Sequence, residues 1–264
     1  MSNTSKQPWA LILGASSGFG EATALELARA GMNIFGVHLD RHDRLPHVAE
    51  IEEKIRALGR EAQFVNRNAS DDEMRQEIVG QLQQRLADPP GVLRVLLHSL
   101  ALGFFKPLAG AEQVIAKKQL EITADTMGHS LVYWVQDCLR AGLFDWGGRI
   151  FAITSAGGSR AIPNYGPVSA AKAILESHIR QLAVELAPAG ITANAILAGV
   201  ADTPALRQIP DYQKIAVEAR RRNPHGRLTV PEDVARTIVA LCHPATYWMT
   251  GNVIHVDGGE SIVG

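Results

Sequence analysis

The chain has 264 residues, of which 46% are hydrophobic, so it is long enough to bury the core of one large domain. Lysine and arginine number 26 against 27 aspartate and glutamate residues, which leaves a formal net charge of −1. This balance lacks the positive excess that is typical of proteins that bind nucleic acid or an anionic membrane surface. Apolar runs also stay shorter than the roughly 18 residues of a membrane span.

The two cysteines, Cys138 and Cys242, both lie in apolar helical patterns. Such residues are typical of small core positions in a reducing compartment. Residues 1–8 are polar and show no apolar segment of a secretory signal, so we expect a cytoplasmic protein. The histidines show no metal-ligand spacing, and we predict no metal site.

Short apolar runs alternate with amphipathic segments along the whole chain. The runs predict strands at residues 9–13, 33–38, 62–66, 94–98, 149–154, 192–197 and 252–256. The amphipathic segments predict helices at residues 18–30, 46–58, 71–86, 110–141, 165–188 and 231–242. This alternation indicates an α/β fold, with a doubly wound, mostly parallel sheet of about seven strands and helices on both faces.

No repeat, low-complexity tract or linker divides the sequence, so we predict one domain over residues 1–264. The one irregular stretch, residues 199–228, is rich in proline, aspartate and arginine and lies between a predicted strand and the last predicted helix. Segments in that position often carry function, and we expect a substrate lid there.

A glycine-rich segment joins the first predicted strand to the first predicted helix. Its candidate nucleotide-binding residues are Gly14, Ser16, Ser17, Gly18, Phe19 and Gly20. Gly14 allows a tight turn, Gly18 lets the backbone approach a pyrophosphate, and Gly20 lets the helix pack on the strand. The helix N-terminus supplies amide groups and partial positive charge. The segment therefore predicts a Rossmann-like nucleotide-binding loop, spaced G-x-x-x-G-x-G.

Tyr165 and Lys172 stand seven residues apart at the start of a predicted helix. Seven residues turn an α-helix through about 700°, which places both side chains on one face roughly 10 Å apart along the axis. A nearby ammonium favours phenolate and lowers the pKa of a tyrosine. The two residues are therefore a candidate proton donor and its activator, although such pairs more often form a solvated surface.

From about residue 9 to its end, the chain resembles the short-chain dehydrogenase/reductase superfamily. The matching residues are the glycine loop, Asn68-Ala69 after the third strand, Ser155 after the fifth strand, Lys172, Thr203 and the closing segment 253–259. The resemblance implies that Asn68 and Ala69 flank the adenine and that Lys172 holds the nicotinamide ribose. It also implies that Thr203 contacts the nicotinamide end.

Three departures from the ordinary superfamily pattern stand in the catalytic region. Ordinary members place the tyrosine four residues before the lysine, where this chain has Val168, and Met127 aligns with their proton-relaying asparagine. Their Asn-Asn-Ala-Gly after the fourth strand is replaced by His98-Ser99-Leu100-Ala101, of which the last three are candidate cofactor-binding residues.

These departures resemble the bacterial enoyl-acyl-carrier-protein reductases, which share Tyr-x6-Lys and the His-Ser segment. The string R-A-I-P-N-Y at residues 160–165 and the string A-G-V-A-D-T-P-A-L at residues 198–206 are similar to the FabL-like branch. The resemblance implies an enoyl-thioester reductase that acts on acyl groups carried by acyl carrier protein or coenzyme A.

The tyrosine spacing fits that chemistry. Reduction of a ketone places hydride on the carbonyl carbon, so the acid must stand beside the oxygen of that carbon. Reduction of an enoyl thioester places hydride on C3, and charge develops on the thioester oxygen two carbons away. Moving the tyrosine back by one turn shifts it by about 5 Å, which matches the displacement.

Other polar and aromatic residues have more than one interpretation. Ser155 is either a secondary catalytic residue or a turn residue, and His98 is expected to be largely structural. Phe104 and Phe105 follow the fourth strand, where at least one is expected to form a wall for the acyl chain. The arginines at 220–222 are expected on a solvated face, with docking of an acidic carrier protein as the alternative.

The choice between NADPH and NADH depends on residues after the second strand. NAD-specific members usually carry an acidic residue there, which accepts from the ribose 2′-hydroxyl. Here the aligned residue is His38, followed by Asp40 and Arg41. His38, Arg41 or Arg44 could pair with a 2′-phosphate, whereas Asp40 argues for NADH if it turns toward the ribose. The sequence favours NADPH.

Two other functions remain open from the sequence. One is a 3-oxoacyl-carrier-protein reductase or another carbonyl reductase, and the other is a nucleotide-sensing protein without catalysis. The predicted helix 165–188 carries an apolar stripe of which only part is expected to pack on the sheet. Because such helices pair across a two-fold axis in the superfamily, the resemblance implies a homodimer or homotetramer.

Overall fold

A computed structural model of the protein describes residues 6–263, so residues 1–5 and 264 of the predicted domain lie outside the described residues. Seven parallel strands form one sheet in the order β3-β2-β1-β4-β5-β6-β7. The strands are β1 Gln7–Leu13, β2 Asn33–His38, β3 Ala62–Asn66, β4 Gly91–His98, β5 Phe144–Ser155, β6 Thr192–Ala198 and β7 Val253–Val256. The predicted doubly wound, Rossmann-like sheet is confirmed.

Helices cover both faces of the sheet because its central strands are apolar on both sides. They are α1 Gly18–Arg29, α2 Leu45–Ala57, α3 Asp72–Arg85, α4 Lys117–Ala124, α5 Ser130–Arg140, α6 Gly166–Leu186, α7 Pro204–Arg207, α8 Tyr212–Arg222 and α9 Pro231–Leu241. One core, around Trp134, lies between the sheet and α3, α5 and α6. The other, around Leu27, lies under α1, α2 and α9.

The predicted helix over residues 110–141 is wrong in its extent. Residues 110–116 are irregular, the first helix begins at Lys117, and a π-helical turn at Asp125–His129 separates α4 from α5. Gly128 in that turn lies so close to α6 that a Cβ there would stand 3.0 Å from the carbonyl oxygen of Ala171. The π-helical turn thus coincides with a close contact between Gly128 and α6, which the spacing of apolar residues along the chain does not reveal.

The apolar stripe of α6 also differs from expectation. All six of its residues are buried within the single chain: Val168, Ala171, Leu175, Ile179, Leu182 and Leu186. The stripe therefore offers no apolar surface to a second subunit, although Val184 on the same helix is exposed. The predicted homodimer or homotetramer stays a prediction.

The sheet topology determines where the site lies. The order of the strands reverses between β1 and β4, and the carboxyl ends of the strands gather the glycine loop, His38, His98 and Ser155 at one edge. Ligands of open α/β sheets bind in the crevice at such a reversal. Within residues 6–263, no helix is both long and apolar enough to cross a membrane.

Candidate active site

A cavity of about 840 Å³ lies above the carboxyl ends of the strands and extends from the glycine loop to α8. Most of the predicted site residues line it: Gly14, Ser16, Ser17, Gly18, Phe19, His38, Asp40, Asn68, Ala69, Ser99, Leu100, Ala101, Phe105, Ser155, Tyr165, Lys172 and Thr203. Three do not, namely Gly20, Arg41 and Phe104. The predicted nucleotide and catalytic residues thus meet in one cavity.

The glycine loop has the geometry that a pyrophosphate requires. Gly14 has a φ of +88°, and a Cβ on it would stand 2.5 Å from the carbonyl oxygen of Ser99. Gly20 packs directly on the Gly14 carbonyl, which explains why it lies behind the cavity wall. Ser17 precedes α1 without capping it through its side chain. The loop therefore combines a closely packed backbone with an uncapped helix N-terminus, two features that suit a phosphate group.

Lys172 lies on α6 and points toward the end of β5. Its Nζ donates to the carbonyl oxygen of Ile153 at 2.7 Å, and burial lowers the pKa of Lys172 to about 8. The charge of Glu176, one turn further along α6, opposes that shift. Glu176 in turn accepts from the Thr154 hydroxyl at 2.6 Å. Burial thus brings the titration of the ammonium close to neutral pH.

Tyr165 is the residue immediately before α6, and its side chain is held by packing. Its hydroxyl lies 3.3 Å from Ser155 Oγ. Its ring packs on Gly157, where any Cβ would collide with it, and lies 5.8 Å from the Phe105 ring between centroids. The string at residues 160–165 is an irregular segment, with Asn164 in the left-handed region at φ 61°. This turn directs the phenol into the cavity.

The expected lowering of the Tyr165 pKa by Lys172 is wrong in this structure. Burial raises the pKa of Tyr165, and the hydrogen bond with Ser155 only partly opposes this. Desolvation disfavours the phenolate more than any nearby donor favours it. Tyr165 is therefore a neutral phenol at physiological pH, with a proton available to donate.

The Val168 side chain cannot form a hydrogen bond and belongs to a small apolar cluster. Val168, Met127 and Ala171 are buried together, and the rings of Phe105 and Tyr165 pack against them. Gly103 allows this packing, since a Cβ there would stand 2.6 Å from a Val168 methyl group. The positions of the ordinary tyrosine and asparagine are thus filled by apolar atoms.

His98 is buried at the end of β4. Its Nε2 lies 2.8 Å from Ser130 Oγ, whereas its Nδ1 has no hydrogen-bond partner. Burial, followed by the charge of Lys172, lowers the pKa of His98 to about 3. The imidazole is therefore neutral, and the contact with Ser130 supports the expected structural role for one of its two nitrogens.

The end of the cavity beside β2 and β3, where the resemblance places the adenosine, is lined by different arginines from those that the sequence predicts. Arg41 does not line it, whereas Arg44 does, together with Arg67, which the sequence analysis did not select. His38 is buried, and its Nδ1 lies 2.9 Å from the Asp40 carboxylate. The signal that could have found Arg67 is its place directly after β3 and directly before Asn68-Ala69.

The predicted lid, residues 199–228, contains α7 and α8, which border the cavity. Glu260, another residue missed from the sequence, lies beneath it and joins its two ends. One Glu260 oxygen accepts from the Val200 amide at 3.0 Å, and the other lies 3.4 Å from Arg222 Nη2. Arg221 pairs with Glu218, so only Arg220 of the three arginines lacks an acidic partner in residues 6–263. Motion of the lid stays a prediction.

Neither cysteine has the environment of a nucleophile. Burial raises the pKa of Cys138 strongly and that of Cys242 to about 12, which leaves both as thiols. Both are free of disulfides. Within the described part of the chain, no three His, Cys, Asp or Glu side chains form a group that could hold a metal ion.

Comparison with known proteins assigns the chain to a family. The sequence model of the family described as Enoyl-(Acyl carrier protein) reductase matches residues 14–261. The chain belongs to this family. It is therefore a member of the short-chain dehydrogenase/reductase superfamily, as its motifs indicated.

The relatives of the chain carry names that describe different reactions. Enoyl-acyl-carrier-protein reductase (NADH) FabI of Escherichia coli (strain K12) is 32% identical over 148 residues, which are 56% of each chain. The match thus spans about half the length of that relative. 1-Cyclohexenylcarbonyl-CoA reductase of Streptomyces collinus is 31% identical over 260 residues, covering 96% of this chain and 86% of that one. Cis-4-hydroxycyclohexanecarboxylate dehydrogenase of Sinomonas cyclohexanicum is 31% identical over 255 residues, 96% of each.

Solved structures of enoyl-acyl-carrier-protein reductases share the whole fold. The NADH enzyme of Aquifex aeolicus VF5 superposes with a TM-score of 0.83 at 27% identity, covering 98% of both chains. The Bacillus cereus enzyme, solved with NADP+, superposes with a TM-score of 0.86 at 25% identity, covering 98% of this chain and 97% of that one. The two neighbours thus represent both nicotinamide cofactors.

Proposed function

We propose that the protein is an enoyl-thioester reductase, which transfers hydride from NAD(P)H to C3 of a trans-2-enoyl thioester. The observation that carries the proposal is the position of the proton-donating side chain, Tyr165. Tyr165 presents a neutral phenol to the cavity, while Val168, where ordinary members have their tyrosine, is buried in an apolar cluster. The only tyrosine lining the described cavity is thus one turn away from the position that carbonyl reduction uses.

Tyr165 has a defined part in this reaction at the acyl end of the cavity, the end where Tyr165 lies. When bound, the nicotinamide supplies a hydride, which forms the new C–H bond at C3 as the C2–C3 double bond becomes an enolate. The Tyr165 hydroxyl donates a hydrogen bond to the thioester oxygen, where negative charge develops. Its raised pKa keeps the proton in place until that charge appears. A proton from solvent water then adds to C2 as the enolate collapses, which gives the saturated thioester.

Lys172 supports both the cofactor and the enolate. Its side chain is buried beside the end of β5, with an ammonium that has donors left after the bond to Ile153. Those donors suit the hydroxyls of the nicotinamide ribose. Because the ammonium lies in a poorly hydrated site, its charge also favours an enolate formed nearby more than it would in water.

A carbonyl reductase is the second candidate, and one contact favours it. Ser155 Oγ lies 3.3 Å from the Tyr165 hydroxyl, so the two hydroxyls could together hold a directly reduced carbonyl. The dehydrogenase among the relatives is consistent with such chemistry on this fold. Against it, the site has no acid at Val168 or polar relay at Met127.

The proposal extends to the cofactor, carrier and cell compartment. NADPH is the proposed cofactor, with acyl carrier protein or coenzyme A as the acyl carrier, in a cytoplasmic homodimer or homotetramer whose residues 199–228 close over the substrate. Fatty-acid synthesis is the proposed pathway class. The basis for NADPH lies in the adenosine end of the cavity, where two arginines are present.

Steady-state assays with matched substrates test the proposal. Purified protein is given crotonyl and acetoacetyl thioesters of both coenzyme A and acyl carrier protein, each with NADPH and with NADH. We expect kcat/KM to be at least about a hundredfold higher for the enoyl thioester, the size of one missing oxyanion donor. Faster reduction of acetoacetyl thioesters would instead establish the carbonyl reductase.

A further inference from the structure

We propose that Glu176 is a positioning residue of the active site: its carboxylate, held by Thr154, lends negative charge to the Lys172 ammonium and fixes the end of β5. The inference rests on the role of Lys172 in the proposed function. Glu176 does not line the cavity, so it acts through its neighbours rather than by touching a ligand.

Consecutive residues at the end of β5 are bound to successive turns of α6. The carbonyl oxygen of Ile153 accepts from Lys172 Nζ at 2.7 Å. The hydroxyl of the next residue, Thr154, donates to Glu176 Oε1 at 2.6 Å. Ser155, which follows directly, places its Oγ 3.3 Å from the catalytic phenol. Glu176 therefore holds the residue that lies between the lysine contact and the serine contact.

The Glu176 carboxylate is enclosed between α6 and the turn at Ala156–Gly158. A Cβ on Gly158 would stand 2.8 Å from Glu176 Oε1 and 3.5 Å from Lys172 Cβ, so a glycine there leaves room for both side chains. Lys172 and Glu176 are four residues apart on one helix face, which separates them by roughly 6 Å along the axis. At about that distance an opposite charge stabilises an ammonium.

Glu176 supplies negative charge, whereas the other titratable groups beside Lys172 are neutral. From β4, His98 is an uncharged imidazole because burial lowers its pKa to about 3. From the start of α6, Tyr165 is an uncharged phenol because burial raises its pKa. Met127, which the π-helical turn contributes to the cavity, is apolar. The counter-charge for the buried ammonium therefore comes from one turn further along the same helix.

This counter-charge matters because the Lys172 ammonium titrates near neutral pH. Burial lowers the pKa of Lys172 to about 8, and the charge of Glu176 opposes that shift. Without the carboxylate, the ammonium would be lost at a lower pH. Glu176 thus determines how much of the protein carries a charged lysine at physiological pH.

A single isosteric substitution separates the charge from the hydrogen bond. Glu176→Gln keeps an oxygen that can accept from Thr154 but removes the negative charge. For this variant and the wild type, kcat/KM with crotonyl thioesters and the affinities of NADPH and NADH are measured from about pH 6 to about pH 9.5. NADH is included because the 2′-phosphate of NADPH itself titrates near pH 6. Thermal unfolding verifies that each variant is folded.

We expect the pH above which affinity and kcat/KM fall to move down by about one unit in Glu176→Gln, from about 8 to about 7. The change should be much smaller on the acid side, where the ammonium is present in both proteins. Glu176→Asp, which keeps the charge, should return the midpoint to within about half a unit of wild type.

Glu185→Gln is the matched control on the same helix. Glu185 is an exposed carboxylate of α6 that accepts from Gln181, so its substitution should leave the midpoint in place. In a Lys172→Arg background the guanidinium keeps its charge, and Glu176→Gln should then cause no shift. A shift that persists in this background would overturn the inference, because it would arise from another group.

Two further outcomes would overturn it. One is an unchanged midpoint in folded Glu176→Gln, and the other is a loss of equal size at every pH, which would show that the residue only supports the structure. The cofactor titrations contain no acyl substrate, so a shifted binding midpoint supports the inference even if enoyl-thioester reduction fails. Conversely, an unchanged binding midpoint contradicts it while the chemistry at Tyr165 stands.

Discussion

The two ends of the cavity are built in different ways. At the nucleotide end, main-chain groups of the glycine loop and exposed charged side chains face the cavity, and Arg44 and Arg67 remain accessible. At the acyl end, Tyr165 and Lys172 stand in an apolar setting with Val168, Met127 and Phe105. In the proposed function, recognition of the cofactor therefore depends on backbone shape and exposed charge, whereas catalysis depends on a few buried polar groups.

The difference in burial changes the expected size of the effect of a substitution. An exposed charge is screened by water and salt, so its removal has a local and moderate effect. A polar group in a poorly hydrated pocket interacts more strongly with developing charge and has no water to replace it. Substitutions at the acyl end are therefore expected to have larger effects than those at the nucleotide end.

The largest effect is expected from Tyr165→Phe. The ring keeps its packing on Gly157 and Phe105, so folding and cofactor affinity should persist. Loss of one oxyanion donor should lower kcat about a hundred- to a thousandfold, with a smaller change in KM. Steady-state kinetics with crotonyl thioesters measure this, and Tyr133→Phe, outside the cavity, is the matched control. Near-full activity of Tyr165→Phe would direct attention to Ser155.

Lys172→Met tests whether the Lys172 ammonium supports both cofactor binding and catalysis. The substitution keeps the length of the side chain but removes its charge and its bond to Ile153. We expect cofactor affinity to fall about ten- to a hundredfold, along with activity. Fluorescence titration with NADPH measures the affinity. An unchanged affinity in the folded variant would restrict Lys172 to the acyl end.

The pH dependence should report the same lysine. Burial lowers the pKa of Lys172 to about 8, so the ammonium is present below that pH and is lost above it. We expect kcat/KM to be level on the acid side and to fall roughly tenfold per pH unit above about pH 8. Tyr165 stays protonated across this range because its pKa is raised.

Lys172→Arg is the control for that assignment. A guanidinium keeps its charge to high pH, so the descending limb should disappear whatever the absolute rate of the variant. A limb that persists unchanged in Lys172→Arg would assign the titration to another group.

The smallest effect is expected from a comparison of the two neighbouring phenylalanines. The Phe105 ring packs on Tyr165, whereas Phe104 lies outside the cavity lining. Phe105→Ala should lower kcat/KM about two- to tenfold, the usual range for an aromatic pair, and Phe104→Ala should change it less than twofold. Equal effects of the two substitutions would show that the ring contact does not position the phenol.

Much of the fold was predictable because its signals are local. All seven strands were located, since short apolar runs bounded by turns are typical of buried parallel strands. The predicted beginnings of β4 and β5, at Arg94 and Arg149, are too late in the sequence. The two strands begin at Gly91 and Phe144. The break between α4 and α5 was missed, since it arises where Gly128 meets α6.

For the site, the sequence identified residues more reliably than their surroundings. The motif spacing located Tyr165 and Lys172, yet the direction of the Tyr165 pKa shift was wrong because burial outweighs the neighbouring charge. Arg41 was chosen over Arg67 because it is close to His38 along the chain. In the fold, the hydrogen bond from the Arg67 amide to the His38 carbonyl makes Arg67 the neighbour.

The sequence by itself determined the parallel α/β architecture, the glycine loop and the one-turn displacement of the tyrosine, because each depends on spacing within a few turns or strands. Only the tertiary structure decided which charged groups have partners, with Asp40 contacting His38 and Glu260 joining both ends of the lid segment. Those contacts link residues from separate elements. Electrostatic environment depends on distance and burial in space, which periodicity along the chain does not contain.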